Sequence, residues 1–311
     1  MNIKLHTPVL LNETIKSLKI KKNGIYLDGT FGSGGHSKKI LEQIGKNGRL
    51  YAIDKDPYAV KIANKIFDHR FCIIHGNFSN IDILLKKYHL YKKLDGIILD
   101  LGMSSMQLMS NTRGFSFNIN SPLDMRMNPK QGISATKWIN TSNAKNIYYV
   151  LKSFGEEKFA KKITNKIIIT RKTQPISTTY ELSNLIKSIV PKKKNKHPAT
   201  KSFQAIRIFI NQELQELQTF LKKTLNFLNN HGRISVISFH SLEDRIVKQF
   251  INKYSKKPNI PFNLPINENQ IHNMSQIKLK KINRIFPSIE EIKNNFKSRS
   301  AILRTAEFQE K

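Results

Sequence analysis

The stretch Ile25-Tyr26-Leu27-Asp28-Gly29-Thr30-Phe31-Gly32-Ser33-Gly34-Gly35-His36 decides the fold. A short apolar run, Ile25 to Asp28, ends on an acid, turns through glycines and leads into a helical pattern expected over Ser37 to Ile44. That is the strand, loop and helix of a parallel β/α unit. Glycine permits a tight turn and a close approach of backbone to ligand, and open α/β sheets bind ligands outside the carboxyl ends of their strands. The same pattern recurs downstream. Arg49 to Asp54 reads as a second strand ending in an acid, with Pro57 opening the next helix. Phe71 to His75 reads as a third, and Gly96 to Asp100 as a fourth, apolar enough for the middle of a buried sheet. Four strands in β/α alternation make half of a doubly wound fold.

From about Met106 the pattern changes to polar loops and helical segments, including Ala144 to Phe154, Glu156 to Arg171 and a long helical stretch from Lys201 to Leu225. Gly232 to Phe239 returns as a buried strand and feeds a helix from Ser241. The economical arrangement is one α/β domain, residues 1–105 and 211–311, interrupted by a mostly helical insertion over residues 106–210. Lys192 to Lys196 reads as a loop and residues 255–283, rich in Pro and Asn, as an irregular surface segment.

The 311 residues carry 53 basic against 22 acidic side chains, a formal charge of +31. Residues 106–210 hold 19 basic and 4 acidic, while each flanking part nets only +8. Abundant Lys, Asn and Ile point to A+T-biased coding, but such bias acts evenly along a chain. The concentration therefore favours a nucleic-acid partner for the insertion. No apolar run approaches the roughly 18 residues of a membrane span and no secretory pattern opens the chain, so membrane and secreted classes are set aside. A single cysteine, Cys72, excludes an internal disulfide and a multi-cysteine zinc site, which fits a cytoplasmic protein.

Asp54 closes the second strand 19 residues after Gly35, where a carboxylate accepts hydrogen bonds from a ribose diol. The alternative is an acid capping the helix at Pro57. Ribose binding of this kind serves NAD or S-adenosylmethionine equally. Phe78, after the third strand, has the chemistry to cover an adenine face or simply to pack in the core. Asp100 ends the fourth strand, the strand end that in methyltransferases faces the cofactor's reacting group. At the corner Ser238-Phe239-His240-Ser241-Leu242-Glu243-Asp244, Ser241 is the expected helix cap and Glu243 and Asp244 the acidic first turn. His240 is left as a candidate substrate contact. The nine histidines show no ligand spacing, so no metal site is expected. Neither a Gly-x-Ser-x-Gly elbow nor a phosphate-binding Gly-Lys-Ser/Thr loop occurs. Cys72, inside the third strand, reads as a buried hydrophobe, which argues against chemistry by an attacking thiolate.

Longer motifs carry a resemblance. His6-Thr7-Pro8-Val9-Leu10-Leu11, the Asp28 to His36 loop, Ala52 to Pro57, Asp100-Leu101-Gly102-Met103-Ser104-Ser105-Met106-Gln107, Arg113 to Phe117 with Pro122 to Met127, Gly155-Glu156-Glu157, Phe203 to Ile208, Ser238 to Asp244 and Arg299 to Arg304 run in order over nearly the whole chain. Together they closely resemble the RsmH family, also called MraW. The resemblance implies a Rossmann-like S-adenosylmethionine-dependent methyltransferase sheet with an inserted helical domain. It implies N4-methylation of a cytidine, cytosine 1402 in the usual rRNA count, in the decoding centre of 16S rRNA, with the assembled small subunit as the better substrate; it leaves a homodimer open. Residue by residue it implies cofactor contacts from Gly34, Gly35, His36, Asp54, Phe78, Asp100 and Gln107, of which His36 and Gln107 come from the family alone. Residues 192–196 and 255–283 match it weakly, and the Asn/Asp-Pro-Pro-Tyr tetrapeptide of many amino methyltransferases is absent. Asp100 is the candidate proton acceptor, with His240 next. Arg113, Phe115, Phe117, Arg126 and Arg171 are the candidates to hold RNA and stack a displaced base. An NAD-dependent dehydrogenase and a non-catalytic RNA-binding protein are the rival classes.

Overall fold

A computed structural model describes residues 8–192, 197–256 and 278–310. Most of the lysine run and most of the segment 255–283 therefore lie outside the described residues. The strands are β1 (Ile25–Asp28), β2 (Arg49–Asp54), β3 (Phe71–His75), β4 (Leu94–Asp100), β5 (Leu228–Ser238), β6 (Leu279–Ile285) and β7 (Ile302–Phe308). They form one sheet in the order β3-β2-β1-β4-β5-β7-β6. The first five run parallel, and β7 is antiparallel to both of its neighbours. This is the Rossmann-like sheet expected from the sequence, with strand order reversing between β1 and β4, where open sheets form their binding crevice.

Alternation with a period of two sends side chains to opposite faces of the sheet. Leu27, Ile53, Ile97 and Leu99 pack on one side with Leu217 and Phe220. Tyr26, Leu50 and Ile98 pack on the other with Ile15, Leu18 and Ile40. With both faces covered, the strand ends are what remains for ligands.

The chain divides into two compact units, one made of residues up to Gly102 and from Leu214 onward, the other of Met103–Glu213. Each boundary lies three residues away from the expected 105/106 and 210/211. The helical unit has its own core, built on Trp138, Leu151, Ile163, Leu182 and Phe203.

Several expectations are corrected. The helix after the glycine loop is Gly35–Leu41, starting two residues early because Gly34, at φ 79°, makes the turn into it. The stretch from Lys201 is two helices, Thr200–Ile210 and Glu213–Thr224. Asn211 breaks them: its side chain accepts from the Met127 N–H and donates to the Met125 and Arg207 carbonyls, while Gln212 takes φ 51°. Glu156 is the left-handed end of helix Ala144–Gly155, so the next helix begins only at Ala160. Leu279 to Asn283 is strand rather than irregular; β6 is an edge strand whose exposed Lys280 and Lys281 protect it from further pairing. His240, not Ser241, caps helix Ser241–Ser255. Among the described residues no helix is long and apolar enough to cross a membrane.

Asp244, expected only as a first-turn acid, holds Arg304 of β7 through two hydrogen bonds of 2.7 and 2.9 Å, both side chains largely buried. Hydrogen bonds to charged partners contribute about 1.5–3 kcal/mol. Asp244→Asn is expected to lower unfolding stability by that amount in denaturant titration, and an unchanged midpoint would show that the pair does not pin β7.

Candidate functional site

The parallel register brings three acids to the carboxyl ends of adjacent strands: Asp28 beside Ala52, Asp54 beside His75 and Asp100 beside Ile237. The glycine loop is tied down around them. The Gly29 N–H donates to the Ile98 carbonyl, the Phe31 N–H to the Ile53 carbonyl and the Gly32 N–H to Asp54 Oδ2 at 2.7 Å. A Cβ at Gly35 would stand 2.1 Å from Pro8 Cγ, so the first helical turn closes only on glycine.

Asp28 is buried and holds the loop from below. It accepts from Ser37 Oγ at 2.6 Å and from the Thr30 N–H at 3.1 Å, yet burial pushes its carboxyl up to about 6. Asp54 likewise sits at about 6, through burial, against the N–H groups of Asp56 and Gly32 that favour its charge. The capping alternative for Asp54 falls away, because Asp56 caps the helix at Pro57 by accepting from the Tyr58 N–H. Each Asp54 oxygen takes one backbone N–H and keeps a lone pair for a further donor.

Asp100 is the most strained of the three electrostatically. Burial first, then the charges of Asp28 and Glu243, hold its carboxyl well above the usual carboxylate range. Its Oδ1 is buried with no hydrogen-bond partner, and Oδ2 lies 3.7 Å from His36 Nδ1. Beside it, Glu243 is buried and accepts the Phe239 N–H at 2.8 Å. His240 accepts the Glu243 N–H through Nδ1 at 3.4 Å and places Nε2 3.1 Å from Glu243 Oε1. One ring nitrogen caps the helix, while Nε2, close to Glu243 Oε1 but not hydrogen-bonded to it, is buried with no hydrogen-bond partner among the described residues, so His240 stays a candidate substrate contact.

Sequence reasoning treated Glu243 as ordinary first-turn acid; its burial is a tertiary property with no local signal. It also missed Glu216, which takes Lys55 Nζ at 2.6 Å and the Asn77 side chain, lacing the loops after β2 and β3. Phe78 stands on that rim, half-buried, its ring edge-on to Phe220 at 5.2 Å. Gln107 belongs to the helical unit, where its side-chain oxygen accepts the Ser104 N–H in a capping box for Ser105–Met109. Cys72 is half-buried rather than fully buried, in the edge strand β3, with Sγ 3.2 Å from the Tyr88 hydroxyl.

The arginines expected to hold RNA have other duties. Arg113 is buried and donates to the Arg126 and Met127 carbonyls, Arg126 is clamped by Asp124, and Arg171 donates to the Ile139 carbonyl. Phe115 is core, and Phe117 stacks on His197 at 4.2 Å.

Residues 3–309 match the family model described as the MraW methylase family. A relative from Buchnera aphidicola subsp. Schizaphis graminum, named ribosomal RNA small subunit methyltransferase H, is 55% identical over 98% of both chains. Relatives of the same name from the Acyrthosiphon pisum and Baizongia pistaciae subspecies are also 55% identical, covering 98% and 97% of this chain and 98% and 96% of their own.

The raised acids set a pH dependence. Asp28 and Asp54 bind their protons more tightly folded than unfolded, so their contribution to stability is present below about pH 4 and is lost as pH rises to about 6. Between pH 4 and 6.5 the wild type is expected to lose stability relative to Asp54→Asn in denaturant titrations. A constant difference between the two would show that Asp54 is not strained in this way.

Proposed function

The chain belongs to the MraW methylase family, and from that premise we propose that it uses S-adenosylmethionine to methylate the RNA of the small ribosomal subunit. The target is N4 of a cytidine in the decoding centre of 16S rRNA, cytosine 1402 in the usual count, which places the protein in the bacterial cytoplasm. The observation that carries the cofactor is the buried, unpartnered Oδ1 of Asp100 beside Asp28 at the reversal of strand order. A carboxyl so placed is costly until a cation or a hydrogen-bond donor reaches it. S-adenosylmethionine fits, because it brings an ammonium and a sulfonium to one side and a ribose diol to the other. The strand order, with β7 antiparallel between β5 and β6, fits the Rossmann-like methyltransferase sheet that the family resemblance implies. The relatives that match over their full length supply the substrate class.

Gly34, Gly35 and the start of helix Gly35–Leu41 give the amino-acid end of the cofactor a close backbone approach, with His36 held near Asp100. Asp54 offers its two remaining lone pairs to the ribose hydroxyls, and Phe78 its exposed ring face to the adenine. When bound, the cofactor supplies a methyl group on a good leaving group. An exocyclic amine conjugated to a pyrimidine is a weak nucleophile, so alignment is the main contribution required of the protein. Asp100 takes the proton that the nitrogen sheds, and burial first, then the neighbouring charges of Asp28 and Glu243, make it a stronger base than an exposed carboxylate. Glu243, which accepts the Phe239 N–H, is thus part of the acceptor's environment. Gln107 contributes from the helical unit.

This chemistry needs no thiol. Cys72→Ser is expected to retain methyl transfer into small subunits isolated from a strain lacking the enzyme. Asp100→Asn is expected to cut turnover by about 10² to 10⁴, the range for a positioned acid–base or electrostatic group. Nucleoside mass analysis should give N4-methylcytidine; 5-methylcytidine, or loss of activity in a folded Cys72→Ser, would overturn the amine mechanism.

A further inference from the structure

The charge of the helical unit is not spread evenly over its surface. Residues 144–173 carry seven lysines, all exposed, against two acids, of which Glu157 is buried. Among the described residues, every lysine that pairs with an acid lies in the sheet unit, as in Lys21–Asp95, Lys39–Glu42, Lys55–Glu216 and Lys223–Asp82. None of the lysines between 144 and 173 lies within 4.0 Å of a carboxylate oxygen in the described ion pairs. Coding bias toward lysine does not account for that contrast, because it would place unpaired lysines and paired lysines in both units alike.

Helix Ala144–Gly155 buries Ile147, Val150, Leu151 and Gly155 in the helical core. Lys145, Tyr148, Tyr149 and Lys152, spaced i, i+3, i+4 and i+7, form an exposed stripe away from that buried face. Tyr148 is 41% and Tyr149 57% exposed, two aromatic rings side by side within the lysine stripe. Tyr149 is braced edge-on by Phe154 at 5.9 Å, so its ring is presented with little freedom to lose on contact. The next helix, Ala160–Thr173, packs against this one and exposes Lys161 and Lys162 in its first turn.

We propose that this lysine and tyrosine face, on helices Ala144–Gly155 and Ala160–Thr173, is a docking surface for the RNA of the small subunit, the lysines following phosphates and the tyrosines stacking on unpaired bases. The proposal rests on the reading of the chain as an rRNA methyltransferase and gives its RNA a place that the buried or clamped Arg113 and Arg126 do not. RNA is the occupant that the chemistry selects: unpaired cations interleaved with aromatic rings answer a polyanion whose bases have π faces. An acidic protein surface would answer the lysines but leave the tyrosines unexplained.

The test uses the full chain, a fluorescein-labelled single-stranded RNA of mixed sequence, and purified small subunits, with binding measured across a series of KCl concentrations. Each phosphate contact on a single strand contributes about 0.7 to the log–log salt slope. Lys145→Gln, Lys152→Gln, Lys161→Gln and Lys162→Gln together are expected to flatten the slope by about 2 to 3. Tyr148→Ala with Tyr149→Leu, the latter keeping bulk against Phe154, is expected to weaken binding about 5- to 100-fold at constant slope. S-adenosylmethionine affinity should not change in either variant, and kcat should hold while KM for the subunit rises. An unchanged slope in the folded lysine variant overturns the surface, as does a slope that falls on subunits but not on free RNA, which would indicate a protein contact. If instead the wild type neither binds RNA nor methylates subunits, the underlying rRNA reading fails.

Discussion

A carboxyl oxygen buried without a hydrogen-bond partner is among the less favourable arrangements a protein can keep, and Asp100 keeps one at the end of its central strand. Its burial and its acidic neighbours raise the cost. Asp28 is buried beneath the glycine loop, Glu243 is buried and accepts the Phe239 N–H, and both add to what burial already does to the Asp100 proton affinity. The stability for such an arrangement comes from elsewhere in the sheet unit, whose parallel strands are covered on both faces and whose β7, next to the edge strand, is fastened by Asp244 and Arg304. Strained electrostatics on a rigid sheet is the condition under which a bound cation gains most.

The two acids that stay satisfied show how finely the strand ends are divided. Asp28 is used up by Ser37 and Thr30, and so shapes the loop without facing a ligand. Asp54 accepts one N–H on each oxygen, which orients it and leaves capacity for a diol. Asp56, two residues on, does the capping that would otherwise have consumed Asp54. Three acids within two strand ends thus perform three different tasks, set by which backbone N–H groups reach them.

Much of this was legible in the sequence because it is local. The strands Ile25–Asp28, Arg49–Asp54 and Phe71–His75 occupy the residues that apolar runs ending in turn residues mark out. The acids at their ends follow directly, and the glycine loop with them. What was not legible depends on contacts far along the chain. Nothing near Asn211 announces a helix break, since the groups it binds are the Met125 carbonyl and the Met127 N–H, 84 and more residues away. Arg113 looks like an RNA contact until its carbonyl partners at Arg126 and Met127 are seen, and Glu243 looks like a solvated first-turn acid until it is found buried. Charge counted by segments located the basic unit, but only exposure and pairing separate the lysines facing solvent from the arginines holding the unit together.

The most direct test of the account is the proton balance of cofactor binding, measured by titration calorimetry near pH 6 in buffers of different ionisation enthalpy. If acids held in their protonated form by burial become ionised when the ammonium and sulfonium arrive, binding of S-adenosylmethionine releases protons to the buffer. The release should be smaller for S-adenosylhomocysteine, which lacks the sulfonium charge, and smaller again in Asp100→Asn. Binding of S-adenosylmethionine with no proton release, and with the same heat in every buffer, would contradict the claim that the buried acids await a cation.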